Sequence, residues 1–336
     1  MQSEKYKNIE KSYSKDRHIL GEQIPLRTPY TVILDISDMC NLQCKYCFRG
    51  NLDIETEYYR KNRLMSWETF ERIVTQLKDF PDQIKRIALS NHGEPLCNKK
   101  LPEMVKYIKS QGFTGKTEIH TNAVLLDEKY VRELCESHID RVVVSIQGLN
   151  TESYEKICGL KVNFQYLVKM LTLFYQSKTN TQIHIKTVDV AVEGQEDKFY
   201  DIFSPIADRV FVEKVVPIWT GMEITKNNKN VRNKYGDNFP VQKCCPITFY
   251  SINILPDGTI FPCTNLKPSY VLGNIHEISL IDAWNGEKRK LFLRQMLEKT
   301  RFVNTICEKC YIPQNTVKTE ADSIDVYRKE IINRLK

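Results

Sequence analysis

Short apolar runs rich in β-branched residues recur between about residues 30 and 217, each followed by a longer stretch whose apolar positions repeat every three or four residues. The short runs are "YTVILDIS" (30–37), "IKRIALSN" (84–91), "KTEIHTN" (116–122), "DRVVVSIQ" (140–147), "TQIHIKTVDV" (181–190) and "DRVFVEKVV" (208–216). Their composition predicts six strands, and the helical stretches between them predict parallel βαβ units. One stretch opens at Ser66, a side chain able to cap a helix, with Phe70, Ile73, Val74 and Leu77 on one face and Met65 placed to staple against Phe70. Leu101, Met104, Val105 and Ile108 repeat the pattern, as do Phe164, Leu167, Val168 and Leu171. Six units without a seventh or eighth predict an α/β fold with a partial (β/α)6 TIM-like barrel, whose chemistry would sit at the C-terminal ends of the strands.

Past the sixth strand the pattern changes. Residues 218–242 are rich in Asn and Lys and lack sustained periodicity, so they read as a linker. Then "ITFYSINILPDGTIFPC" (247–263) has the form of two strands joined by a Pro-Asp-Gly turn, and helical spacing returns near 278–297. The chain therefore divides into an N-terminal extension (1–29), a barrel (30–217), the linker, a small α+β domain (243–315) and an amphipathic closing helix (316–336).

With 336 residues, 41% of them hydrophobic, the chain has ample material for a core. The opening "MQSEKYKNIEKSYSKDRH" has no apolar stretch, and no later run approaches the roughly 18 apolar residues of a membrane span. A cytoplasmic protein without membrane contact is the expectation. The formal charge of +7 is mild, and the basic residues of "EKRKLFLR" (287–294) alternate with apolar ones as on a solvated helix face, so no nucleic-acid partner is expected. Eleven cysteines without an export signal point to metal or redox chemistry rather than a disulfide framework.

Three of those cysteines, Cys40, Cys44 and Cys47, fall at C-x3-C-x2-C directly after the first strand. A 4Fe-4S cluster normally takes four thiolates, so three leave one iron open for another molecule. Zinc would call for a fourth protein ligand or a histidine at suitable spacing, and none is near.

The motif, with an aromatic residue, Tyr46, before its last cysteine, resembles the signature of the radical S-adenosylmethionine (radical SAM) superfamily. There the open iron chelates S-adenosylmethionine, and one electron from the cluster releases a 5'-deoxyadenosyl radical that abstracts a substrate hydrogen. The resemblance extends to "NHGEPL" (91–96), whose Gly93, Glu94 and Pro95 match a motif that positions the methionine amino group, with His92 in place of its first glycine. "HTNAVLL" resembles a Thr-Asn-Gly segment, with Asn122 matching and Ala123 where glycine is usual; "VSIQG" resembles a cofactor-contacting element through Ser145, with Gln147 replacing an aspartate. Each lies at the end of a successive predicted strand.

Further on, Cys245, Gly258 and Cys263 form C-x12-G-x4-C, followed by Cys307 and Cys310 as C-x2-C. This arrangement resembles the auxiliary-cluster extension called SPASM in its shorter Twitch form. It implies a second 4Fe-4S cluster on Cys245, Cys263, Cys307 and Cys310, with Cys244 able to replace Cys245. A zinc knuckle on the same thiolates is the structural alternative. A spare Cys244 could serve as a hydrogen donor to a substrate radical, the role expected in an epimerase.

Among the remaining candidates, Cys135 shares a helix face with Tyr130, Val131 and Leu134 and reads as core, while Cys97 and Cys158 have no partner at metal-ligand spacing. Lys186 could meet a substrate or cofactor carboxylate, and Glu213 is either a general base or half of an ion pair. The resemblance implies a radical SAM oxidoreductase that oxidises or epimerises a small polyol or sugar, with flavodoxin or ferredoxin as reductant. Two rivals remain: a maturase of a ribosomally made peptide, against which the 29 residues before the barrel count as too few for an added peptide-binding domain, and a non-catalytic zinc- or nucleic-acid-binding protein.

Overall fold

The computed structural model describes residues 5–11, 13, 17–54, 56, 58–216, 218, 232–265 and 270–335. Of the expected linker, residues 219–231 lie outside these described residues.

All six expected strands form: β1 (Thr31–Leu34), β2 (Arg86–Ala88), β3 (Lys116–Thr121), β4 (Arg141–Ile146), β5 (Gln182–Val188) and β6 (Arg209–Glu213). Each pairs in parallel with its predecessor, so the sheet runs β6-β5-β4-β3-β2-β1 through this half of the chain. The connecting helices are α1 (Trp67–Gln76), α2 (Leu101–Ser110), α3 (Glu128–Glu136), α4 (Thr151–Cys158), α5 (Phe164–Ser177) and α6 (Glu196–Phe203). Ser66 does cap α1, its hydroxyl accepting from the Thr69 N–H at 3.1 Å, and Phe70, Ile73, Val74 and Leu77 are buried. Val32 and Leu34 of β1, and Ile36 just beyond it, join Ile87, Leu89, Val142 and Val144 in the core between sheet and helices. Because side chains alternate along a strand, the intervening residues face the concave side of the sheet.

That inner wall is polar. It carries Asp35, Arg86, Glu118, His120, Arg141, Ser145, His184, Lys186, Arg209 and Glu213, and part of its charge is paired: Glu118 holds Arg86 at 3.2 Å, His120 at 3.0 Å and also Arg141. A closed hydrophobic barrel would line this face with branched side chains; here ionisable groups line much of it.

The hairpin expected in the C-terminal region is present as β7 (Ser251–Ile254) and β8 (Thr259–Phe261), turned at Gly258 in the left-handed conformation (φ +85°). It does not stand apart from the barrel. β7 pairs in parallel with β1, Thr31 opposite Ser251 and Leu34 opposite Ile254, and β9 (Gly273–Asn274) completes a single nine-stranded sheet. The helices α7 (Leu280–Asn285) and α8 (Glu287–Glu298) follow, and Phe292, Leu293, Met296 and Leu297 of α8 pack in a second core with Ile247 and Phe249. The closing segment is helical only over α9 (Arg328–Arg334), where Ile331 is buried; short turns precede it. No described helix is long and apolar enough to cross a membrane.

Candidate functional site

The loop that leaves β1 carries Cys40, Cys44 and Cys47, and buried Asp38 holds it in shape. The Asp38 carboxylate accepts from Arg49 Nη2 at 2.7 Å, the Arg60 N–H at 3.0 Å and the Lys61 N–H at 2.8 Å. Farther along, the Gln43 N–H donates to the Cys158 carbonyl at 3.1 Å and the Lys45 N–H to the Ile157 carbonyl at 2.9 Å, which ties the loop to the end of α4. The three thiols are half-buried. Burial pushes Cys40 up to about 12, as expected of a thiol that gives up its proton only when a positively charged group binds it.

Glu94 stitches the neighbouring strand ends together. Its N–H donates to the Met39 carbonyl at 2.7 Å, while its carboxylate accepts from Thr121 Oγ1 at 2.6 Å, the Asn122 N–H at 2.7 Å and the Leu96 N–H at 3.0 Å. Burial raises this carboxyl to about 7 against those donors. Gly93 is needed for close approach, since a Cβ there would lie 1.9 Å from the Ser37 carbonyl oxygen. Pro95 starts a single 3-10 turn. Asn122 reaches across to Asn41, Nδ2 to Oδ1 at 2.8 Å, and Ala123 adopts a left-handed backbone (φ +60°), which accounts physically for a glycine preference at that position. Thus the expected Gly93, Glu94, Pro95 and Asn122 are brought to the cysteine loop, while Ser145 lies on the inner wall one strand away on β4.

Two buried polar atoms at this loop, the Tyr46 hydroxyl and Asn41 Nδ2, have no hydrogen-bond partner among the described residues. Such orphans are costly unless another group satisfies them. With three thiols on a fixed loop, this donor set fits a cluster and a polar cofactor beside it: Cys40, Cys44 and Cys47 would hold the cluster, and the Gly93–Pro95 loop, Tyr46 and Asn122 would face the cofactor.

The second cysteine set also assembles. Cys245, Cys263, Cys307 and Cys310 line one small cavity with Thr248, Phe292 and Arg301. Asn265 Nδ2 donates to Cys310 Sγ at 3.1 Å, and Arg301 Nε donates to the Cys307 carbonyl at 3.2 Å. Burial raises Cys245 well above its ordinary value, and the nearby thiols of Cys310, Cys263 and Cys307 add to it. Among the described residues no three His, Cys, Asp or Glu side chains converge as a site for a single metal ion. Four thiols standing around a shared space fit a polynuclear group. Cys244 turns the other way: wholly buried, its Sγ donates to the Met296 carbonyl at 3.3 Å, and it does not line the cavity.

The model of the radical SAM superfamily matches residues 34–202, half of the chain, over the strands and loops just described. The chain belongs to the radical SAM superfamily. A second family model, described as an iron-sulfur cluster-binding domain (SPASM), matches residues 244–311, and this radical SAM enzyme therefore carries the SPASM domain that its second cysteine set resembles. S-adenosylmethionine and a 4Fe-4S cluster are the cofactors of the first domain, and the second adds iron-sulfur.

Among curated relatives, the chain is 36% identical over 124 residues to a probable GTP 3',8-cyclase of Methanococcus maripaludis. That match covers 37% of this chain and 38% of the relative. Among solved structures, BtrN in complex with AdoMet and 2-DOIA superposes with a TM-score of 0.54 at 21% identity, over 87% of this chain and 95% of BtrN. Streptococcus suis SuiB bound to its precursor peptide SuiA gives 0.62 at 20% identity, over 88% and 72%. At these identities the two structures establish the shared fold.

Several features of this radical SAM site had no signal in the sequence motifs. Asp38 and its arginines, and the approach of Cys158 to the cysteine loop, arise from contacts between distant segments. Glu213 resolves as an ion-pair member, bonded to Lys186 at 2.7 Å and Lys234 at 2.8 Å. Burial opposes its charge, but the two ammonium groups outweigh this and hold it down to about 2, which removes it as a general base near neutral pH.

Proposed function

We propose that this enzyme uses S-adenosylmethionine at the Cys40, Cys44 and Cys47 site to abstract a hydrogen atom from a small polyol or sugar-like molecule held at the polar inner wall, oxidising or epimerising it. A single auxiliary 4Fe-4S cluster on Cys245, Cys263, Cys307 and Cys310 would take up the electron of an oxidation. The observation that carries the reading is the shared sheet: β1, which delivers the first cysteine loop, pairs directly with β7, whose hairpin delivers Cys263. The two cysteine sets are therefore tied to one sheet, the first on the loop that leaves β1 and Cys263 just after β8, which runs back antiparallel to β7.

The bound cluster and cofactor supply reductive cleavage of the sulfonium and the 5'-deoxyadenosyl radical. The protein's own part is placement and shielding. Asp38 fixes the loop that carries the thiols, Glu94 locks the β2 and β3 ends against it, and Gly93 permits the close approach that this requires. The charged inner wall supports a small polar substrate, in line with the nucleotide named for the cyclase relative and the small ligand named for BtrN. A peptide, as named for SuiB, is the rival substrate. A cytoplasmic flavodoxin or ferredoxin would supply the electron.

The test is anaerobic reconstitution with counting of iron and sulfide, then addition of dithionite and S-adenosylmethionine. About eight irons per chain and 5'-deoxyadenosine from the wild type, absent when Cys40, Cys44 and Cys47 are all changed to Ala, are expected. Transfer of deuterium from a labelled polyol into 5'-deoxyadenosine would then identify the substrate class; zinc in place of iron, or no cleavage by the loaded protein, would overturn the reading.

A further inference from the structure

On the β5–β6 side of the inner wall, two lysines pair with one carboxylate and a third lysine stands beside one of them. Lys186 Nζ lies 2.7 Å from Glu213 Oε2 and Lys234 Nζ 2.8 Å from Oε1, so each Glu213 oxygen already has its cation. Lys318 is the third. Its Nζ donates to the Asn315 carbonyl at 2.6 Å, and it shares the Tyr235 ring with Lys234, the two nitrogens standing 5.2 and 5.1 Å from the ring centroid. The nearby Asp322 is itself committed to Arg17 at 2.6 Å. Burial, and next the Lys234 ammonium, push Lys318 down to about 7. The same field reaches the inner wall: His120 is held well below its ordinary value by burial and then by Lys186 and Lys234.

Buried charges are ordinarily paired, and an excess of like charge in a partly desolvated chamber is unfavourable until a counter-charge arrives. Among the described residues one carboxylate, Glu213, serves both Lys186 and Lys234, and Lys318 adds a third lysine beside them. Lys186 stands directly opposite Ser145 on β4 and Phe211 on β6, so the cluster is one strand away from the expected cofactor contact. We propose that Lys186, Lys234 and Lys318 form a subsite for an anionic group of the substrate, a phosphate or a carboxylate, on the inner wall of the barrel. This rests on the reading of the barrel as the reaction chamber. It narrows the substrate to a small polar molecule bearing a phosphate or carboxylate, with its remaining atoms directed toward the cysteine loop. Glu213 then acts as an internal stand-in that holds two of the lysines apart until the anion binds.

The test titrates the reconstituted holoenzyme, with S-adenosylmethionine bound, against inorganic phosphate and separately against acetate at constant ionic strength, by calorimetry. Saturable binding of one of them is expected, and the one that saturates lower identifies the anion. Lys318→Met and Lys234→Met should each weaken it about tenfold, the scale of a lost charge-assisted hydrogen bond. Glu213→Gln should do the opposite, tightening anion binding and gaining more thermal stability from phosphate than the wild type does. A merely structural network would lose binding in all three variants. That result, absence of saturable binding of either anion, or lysine variants that lose affinity only for S-adenosylmethionine, would overturn the proposal. Release of 5'-deoxyadenosine by the same wild-type preparation separates the two readings: cleavage without anion binding sinks only the subsite.

Discussion

Cys158 Sγ lies 3.5 Å from Cys44 Sγ, although 114 residues separate them in the chain. The contact follows from the end of α4, where the Cys158 carbonyl accepts the Gln43 N–H and anchors the cysteine loop. A fourth thiol thus stands beside the site that motif spacing assigns to three.

If Cys158 only packs there, Cys158→Ala leaves the iron content and the yield of 5'-deoxyadenosine near wild type, and costs about 1 kcal/mol of stability for the small void. Cys44→Ala should instead abolish both iron at this site and cleavage. Iron analysis of each variant in a background lacking the four auxiliary cysteines makes the comparison direct. Loss of iron in Cys158→Ala would make Cys158 a ligand.

Asp35, at the end of β1, is 1% exposed, and its carboxylate finds no side-chain donor among the described residues. Burial, reinforced by the Asp38 carboxylate, raises it from 3.8 to about 8. The folded chain therefore holds a proton that the unfolded chain releases above 3.8, a contribution complete below that value and lost as the pH rises through about 8. Asp35→Asn needs no such proton. It should raise the unfolding free energy from urea titration at pH 7 by an amount on the order of 1–3 kcal/mol, the usual cost of a poorly satisfied buried polar group, and make little difference at pH 3. Equal gains at both pH values would contradict the assignment.

The strands and barrel helices were legible because each carries its own periodicity: Ser66 caps α1 and Phe70 to Leu77 bury the face that their spacing marks. The first cysteine triad and the Gly93 to Pro95 loop were legible as short contiguous motifs at strand ends. What stayed hidden depends on pairing between remote segments. Nothing local to Ser251 says that it lies opposite Thr31, so the hairpin read as part of a separate domain rather than an extension of the barrel sheet. Likewise Lys234 and Lys318 have no strand pattern of their own, and only the packed chain brings them to Glu213 or its neighbours. The polarity of the inner wall was partly readable, since Glu118, Lys186 and Glu213 each adjoin an apolar strand residue, Ile119, Ile185 and Val212, whose side chain takes the other face.

Gly93→Ala provides a test of the close approach between the β2 loop and the cysteine loop. Its new Cβ would fall 1.9 Å from the Ser37 carbonyl oxygen and 2.7 Å from that of Met39, both backbone atoms that cannot swing aside. The loops must separate, and a displacement of about 1 Å costs on the order of a hundredfold in a positioned reaction. Cleavage of S-adenosylmethionine should fall by that factor while the auxiliary iron is retained. Cleavage within a factor of about two of wild type would show that the contact does not position the cofactor.

Glu94→Gln asks a related question of the carboxylate. Three donors point at it, from Thr121, Asn122 and Leu96, and an amide NH2 cannot accept from the Asn122 N–H that Oε2 now receives. About 1–3 kcal/mol of stability should be lost with the mismatched donor. Affinity for S-adenosylmethionine, measured by equilibrium binding, should fall as well, because the same bonds hold Asn122 toward Asn41. A variant that loses stability but binds normally would confine Glu94 to a structural role.

The adjacent cysteines at the auxiliary cavity give the sharpest contrast, because one peptide unit separates two different fates. Cys245 lines the cavity with Cys263, Cys307 and Cys310, whereas the Cys244 thiol is buried against the Met296 carbonyl and its N–H is held by Asp325 at 2.8 Å. Cys245→Ala should therefore remove about four irons per chain and leave the first cluster able to cleave S-adenosylmethionine. Cys244→Ala should keep all the iron and lower the melting temperature in line with a loss of about 1 kcal/mol. A Cys244 acting as hydrogen donor would instead keep its iron and stability and lose only epimerised product, with solvent deuterium no longer entering the substrate carbon. Its packing against Met296 favours the first outcome, and iron analysis with melting curves of the two variants decides between them.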